Sequence, residues 1–194
     1  MLSKSILHNH TLLSDAERVE IRLAGEGGQG MILAGIVLAE AAAIYDNKNA
    51  TQTQSYGPEA RGGASKAEVV IGKEAIDFPE VLNADALVAL SQEACDRYAQ
   101  NLKKGGVLIV DEEKVSRVPV SNAVKAPITQ MAIEVTGKAI TANVVALGVL
   151  VGLTEVVSRQ AIEKAVLARA PKGTEEMNKA ALNAGLEFAS KFNE

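Results

Sequence analysis

The sequence predicts an α/β fold: a three-layer sandwich with a mostly parallel or mixed central sheet and a helical C-terminal part. Three observations carry this. Residues 19–43 read as a strand, a glycine turn and a helix with no spacers between them. Residues 85–111 read as strand, helix and strand with short glycine joints, the pattern of a parallel crossover unit. From about residue 128 onward only helical patterns follow.

Residues 1–17 read as an N-terminal tail and residues 18–194 as a single α/β domain, helical from about 128, which fits the usual domain size of ~100–200 residues. The tail holds both histidines, His8 and His10, so the domain itself has no imidazole. Ser–His and Cys–His nucleophilic sites are thereby excluded from it, as is a His-rich zinc site. His8 and Asn9 interrupt the apolar start, leaving no signal-length core.

In the opening unit Val19, Ile21 and Leu23 alternate with Glu20 and Arg22, as in a strand with one wet face. Gly25-Glu26-Gly27-Gly28-Gln29-Gly30 follows. Chain without Cβ atoms turns sharply and lets a ligand approach its N–H groups, and at a helix start the natural guest is an anion, phosphate or carboxylate. Gly25-x-Gly27-x-x-Gly30 also matches the dinucleotide fingerprint, but the ribose-binding acid about twenty residues later is missing. A turn needed only for close helix–strand packing is the plainer alternative. The helix from Met31 is apolar apart from Glu40 and should be buried on most sides.

Residues 48–55, with Thr51 and Thr53 between short amides, read as a short strand running to a site. Next comes Tyr56-Gly57-Pro58-Glu59-Ala60-Arg61-Gly62-Gly63, an irregular loop carrying one ring, one acid and one base. Arg61 can grip a carboxylate or phosphate bidentately, with Glu59 to orient or neutralise it; a solvated surface ion pair is the plain alternative. Residues 66–72 return as a strand. Pro79 suits the first turn of a short helix through Glu80, Val81 and Leu82.

Residues 85–90 are continuously apolar, a strand covered on both faces. Ser91 caps a helix that turns Cys95, Tyr98 and Leu102 inward, and Lys103-Lys104-Gly105-Gly106 reads as its stop signal. A strand at 107–110 ends at Asp111. Residues 115–127, with two prolines, form a wandering edge segment. Helices are expected at 129–137, 141–153, 158–170 and 174–192, the last two separated by Pro171-Lys172-Gly173. Asn143, the polar residue in the apolar third of that chain region, reads as a satisfied cap or core amide before a ligand contact.

Composition narrows the function. With 47% apolar residues, no Trp, three Tyr and three Phe, the core must be aliphatic, and stacking platforms for single-stranded nucleic acid are lacking. A net charge of −4 leaves no basic footprint for a phosphate backbone. The lone Cys95 excludes an internal disulfide and falls short of the roughly four thiolates of an iron–sulfur cluster. Residues 144–153 are about half a membrane span, so the expected location is the cytoplasm.

The glycine turn and the Gln54-Ser55-Tyr56-Gly57-Pro58-Glu59-Ala60-Arg61-Gly62-Gly63 stretch together resemble the gamma subunit of 2-oxoacid:acceptor oxidoreductases, and the loop resembles the 2-oxoglutarate type. The resemblance extends over most of the chain after the tail, including residues 76–79, 105–111 and 143–148. It implies a complex with alpha, beta and ferredoxin-like subunits. Thiamine diphosphate, magnesium and iron–sulfur clusters sit on those partners, coenzyme A (CoA) is a substrate, and ferredoxin or flavodoxin is the acceptor. No nucleic acid or membrane is expected as a partner. This chain would be inert alone, with no catalytic or metal-binding residue of its own. Gly25, Gly27, Gly28, Gln29, Gly30, Tyr56, Glu59 and Arg61 would line an anion site near the active centre. A gamma subunit acting on pyruvate or another 2-oxoacid, and a stand-alone nucleotide- or acyl-CoA-binding protein, remain alternatives.

Overall fold

The computed structural model describes residues 13–55, 64–121 and 123–192. Its centre is a mixed six-stranded sheet, in the order β2-β3-β1-β4-β5-β6. The strands are β1 (Arg18–Glu26), β2 (Asn49–Ser55), β3 (Ala64–Gly72), β4 (Ala84–Ala89), β5 (Leu102–Asp111) and β6 (Val124–Ala126). β1, β4, β5 and β6 run parallel, while β3 is antiparallel to both β1 and β2.

The helices are α1 (Met31–Glu40), α2 (Gln92–Tyr98), α3 (Ile128–Thr136), α4 (Ala142–Thr154), α5 (Arg159–Arg169) and α6 (Glu175–Ser190). A π-helical turn, Ala41–Tyr45, continues α1. Val19, Ile21 and Leu23 of β1 point into a large core shared with α1 and α3 to α6. Ala24, one residue on, faces a second core under α2 together with Leu87, Leu108 and Cys95. These are the three expected layers: helices, mixed sheet, helix.

The alternation in β1 therefore does not mark a wet face. Arg22 is 5% exposed and lies on the α2 side, where Glu68 of β3 accepts from its guanidinium at 2.8 Å and the carbonyl of Val81 at 2.7 Å. Its guanidinium also stands 5.3 Å from the Tyr98 ring centre. Lys66 gives Glu68 a second cation at 2.9 Å. A charge can be this deeply covered only because it is paired and hydrogen-bonded.

α4 is buried along its whole length. Gly148 and Gly185 bring α4 and α6 together so closely that a Cβ on either would strike the other helix's backbone. Asp46 accepts from the main-chain N–H and hydroxyl of Ser158, both at 2.6 Å, tying the end of the α1 segment to the start of α5. Within the stretch read as a tail, Leu13 donates its N–H to Thr154 and, with Ala16, packs on the core.

Two local expectations fail. No helix forms at 79–82: residues 73–83 are irregular, and Val81 turns its carbonyl onto Arg22, so a tertiary bond outweighs the proline's local preference. The helix before β5 also stops earlier than its sequence pattern. α2 ends at Tyr98, a short 3-10 turn covers Ala99–Asn101, and Leu102 to Gly106 already belong to β5. Lys103 pairs with Asp85 of β4 at 2.9 Å instead of a helix end.

Candidate functional site

β1 is followed by α1 on one face of the sheet and β4 by α2 on the other. The two parallel neighbours thus diverge at their carboxyl ends, and open α/β sheets offer a ligand crevice at such a switch point. The glycine turn lies there. Glu26, Gly27 and Gly28 are exposed, Gln29 and Gly30 half-buried, and Gly25 buried.

The turn is built from side chain and backbone together. Gln29 reaches back, its Oε1 accepting from the Glu26 N–H at 2.7 Å and its Nε2 donating to the Leu90 carbonyl at 3.0 Å. It staples the turn to the ends of both diverging strands. Gly30 is the N-cap of α1 at φ 74°, and a Cβ there would lie 2.5 Å from Asn143 Nδ2. That amide donates to the Gly30 carbonyl at 3.2 Å, while its oxygen accepts from Val144 N–H at 2.9 Å. Of the expected cap or core amide, Asn143 is the satisfied core amide, and it also clamps the turn. Gly28, at φ 96°, has open space where its side chain would be.

No side chain caps α1. Among the described residues nothing accepts the N–H groups of Met31, Ile32 and Leu33, so the positive end of α1 is bare.

Tyr56, Glu59 and Arg61 lie outside the described residues, as do His8 and His10. The residues flanking that loop sit beside the turn. β3 begins with Ala64 opposite Glu26 and Ser65 opposite Gly25, and the Ser65 hydroxyl donates to the Gly25 carbonyl at 3.3 Å. Both motifs recognised in the sequence are therefore anchored at one rim.

Two further carboxyl-end groups are fully engaged. Ser91 caps α2 through Ala94 N–H. Asp111, 0% exposed, accepts from Glu113 N–H at 3.1 Å, Thr129 N–H at 2.9 Å and the Thr129 hydroxyl at 2.5 Å. It is committed to starting α3. Cys95 is buried under α2, and burial, helped by Asp96, pushes its thiol above the usual range. A shielded, protonated thiol is a poor metal ligand. Among the described residues no three His, Cys, Asp or Glu side chains gather.

A cavity of about 330 Å³ opens beside the turn between α1, α4, α5 and α6. Gly28 and Gly30 form part of its wall, with apolar Leu33, Val37, Val144, Leu147 and Val166 and polar Thr141, Asn143, Arg169 and Asn178 among the rest. The sequence reading missed it, because its walls come from four separated helices. The one usable signal was the lack of polar positions on α1, where Leu33 is 43% exposed.

These features define a class: a doubly wound α/β domain with a glycine turn and a bare helix start at the sheet's switch point. The chain belongs to the pyruvate ferredoxin/flavodoxin oxidoreductase family, whose model matches residues 20–188, and within it is a gamma-type subunit of a 2-oxoacid:ferredoxin oxidoreductase. It is 55% identical over 179 residues to the 2-oxoglutarate synthase subunit KorC of Methanocaldococcus jannaschii, covering 90% of this chain and 96% of that one. It is 37% identical to the ketoisovalerate oxidoreductase subunit VorA of Methanothermobacter thermautotrophicus over 88% of this chain and 36% of VorA. The crystal structure of the keto/oxoacid ferredoxin oxidoreductase gamma subunit from Geobacter sulfurreducens PCA superposes with a TM-score of 0.83. That alignment is 51% identical and covers 91% of this chain and 98% of the other. Among the described residues no helix is long and apolar enough to cross a membrane.

Proposed function

We propose that the chain is the gamma subunit of a 2-oxoglutarate:acceptor oxidoreductase, converting 2-oxoglutarate, CoA and oxidised ferredoxin or flavodoxin to succinyl-CoA, carbon dioxide and reduced acceptor. The observation that carries the substrate is the 55% identity to KorC along 96% of its length, against 37% to the ketoisovalerate subunit. Alpha, beta and ferredoxin-like subunits complete the assembly in the cytoplasm. Thiamine diphosphate with magnesium and iron–sulfur clusters on those partners supply decarboxylation and electron transfer.

The part given to this chain is to hold negative charge. The bare N–H groups of Met31, Ile32 and Leu33, with the open side of Gly28, receive a CoA phosphate. Gly25 and Gln29 hold the turn in shape, and Gly27 and Gly30 let the chain bend without Cβ atoms. Arg61, with Glu59 and Tyr56 on the same loop, contributes a guanidinium for the ligand or for the 2-oxoacid carboxylate.

The test is steady-state kinetics of the reconstituted complex carrying Gly28→Val or Arg61→Ala. The expected result is an intact complex with KM for CoA raised at least about tenfold by Gly28→Val, equivalent to about 1.4 kcal/mol. Unchanged KM values for CoA and 2-oxoacid with unchanged turnover overturn the site. Loss of co-purification with the partner subunits assigns these loops to docking instead.

A further inference from the structure

Residues 73–83, which join β3 to β4, contain the stretch 76–79 that the family resemblance includes and that no role above uses. Ile76 and Val81 turn inward onto a small core with Val70, Ala84 and Leu102. Two arginines of β1 pin the main chain around them. Arg18 donates to the carbonyls of Phe78 at 2.8 Å and Glu80 at 3.3 Å, and Arg22 to that of Val81 at 2.7 Å. The segment is irregular yet held, because bonds from a charged donor are among the stronger ones.

Held in this way, the loop turns two large apolar side chains outward: Phe78 is 48% exposed and Leu82 61%. Single exposed apolar residues are ordinary on any surface, but an aromatic and a leucine within five residues of a pinned segment are the material of an interface anchor. Their charged neighbours are of one sign. Glu74, Asp77 and Glu80 are exposed, and none of them forms an ion pair among the described residues. The nearby cations are already engaged, Arg18 with Glu20 and Lys73 with Glu17, each at 2.9 Å. Two copies of this loop would set like charges face to face, which opposes self-association and favours a basic partner.

We propose that this loop docks the chain onto a partner subunit of its complex, with Phe78 and Leu82 entering an apolar pocket whose rim carries Lys or Arg side chains. This rests on the chain's place in a multisubunit oxidoreductase, and not on the reading of the glycine turn as a CoA site. The position agrees with it. Gly72, just before the loop, pairs with Arg18 at the start of β1, whereas the glycine turn lies at the other end of that strand. At about 3.3 Å per residue, the nine residues of β1 set the two roughly 25 Å apart. A partner seated on the loop therefore leaves the crevice open.

The experiment reconstitutes the complex with Phe78→Ser plus Leu82→Ser, and separately with Asp77→Lys plus Glu80→Lys, and measures the dissociation constant of this chain from its partner subunits together with KM for CoA. Each pair should weaken association at least about tenfold, with KM for CoA unchanged in the fraction that assembles. The lysine pair alters only exposed side chains, so it decides alone should the serine pair fail to fold. A photo-crosslinking residue at position 82 should join this chain to a partner-subunit peptide that contains Lys or Arg. Undiminished association of the lysine pair, or crosslinks only to a second copy of this chain, overturns the proposal. If Gly28→Val raises the CoA KM while the loop variants associate normally, the turn reading stands and the dock falls. If the loop variants dissociate while Gly28→Val changes nothing, the dock stands and the turn reading falls.

Discussion

At the scale of single residues, the two glycines of the turn do different work. Gly30 combines φ 74° with a Cβ position 2.5 Å from Asn143 Nδ2, so Gly30→Ala both strains the backbone and dislodges the clamp. Its expected cost is about 3 kcal/mol, roughly equal parts left-handed strain and a lost buried hydrogen bond. Gly28→Ala meets only the strain, because its Cβ would enter open space, and should cost about 1 kcal/mol. Thermal melts of the two variants give the comparison; equal losses would show that Asn143 does not hold the turn. Sequence alone marked the glycines and Gln29 as candidates for an anion site but not the bonds that the Gln29 amide makes to Glu26 and Leu90. A staple to β4 is a long-range fact that local spacing does not encode. Arg22 was hidden for the same reason, since its partner Glu68 is 46 residues away. Removing that partner with Glu68→Leu leaves a covered guanidinium and should cost about 3 kcal/mol in denaturant melts. The double change Arg22→Met with Glu68→Leu should lose less than the single one, and a double mutant that merely sums the losses would contradict the pairing.

At the scale of elements, the helices from α3 onward and the β1–turn–α1 unit were legible because each carries its own period, cap or breaker. Ser91 and Ser158 cap α2 and α5 as their positions imply. What misled was punctuation read without its partners: Pro79 as a helix start, and the Lys103-to-Gly106 stretch as a helix stop. The latter belongs to β5, where β4 pairing and the Asp85 ion pair outweigh helix-end chemistry. The fit of α4 against α6 was also invisible, because glycines in two separate apolar stretches do not reveal that they face each other. A Cβ at Gly185 would collide with the Val145 carbonyl of α4. Gly185→Ala should therefore push the helices apart and cost about 1–3 kcal/mol, the usual range for overpacking a close-fitted core. Hydrogen exchange on α4 should speed up with it; unaltered protection and stability would mean the contact is looser than the backbone positions imply.

At the scale of the whole molecule, the sheet sets the site and the helices complete it. Parallel pairing of β1 with β4, and the opposite departures of α1 and α2, create the crevice; α4 supplies the clamp, and α5 and α6 close the cavity. The sequence disclosed the class of fold and the rim of the site, since the rim is contiguous in the chain. The cavity stayed hidden because it is assembled from four helices. Among the described residues the chain offers bare main-chain N–H groups beside an aliphatic slot. The most direct measurement is a structure of the assembled complex with CoA bound. The account predicts phosphate oxygens at hydrogen-bond distance, about 3 Å, from the N–H groups of Met31, Ile32 or Leu33, beside Gly28. A partner subunit's own carboxylate seated on those N–H groups, with the CoA phosphates elsewhere, would contradict it.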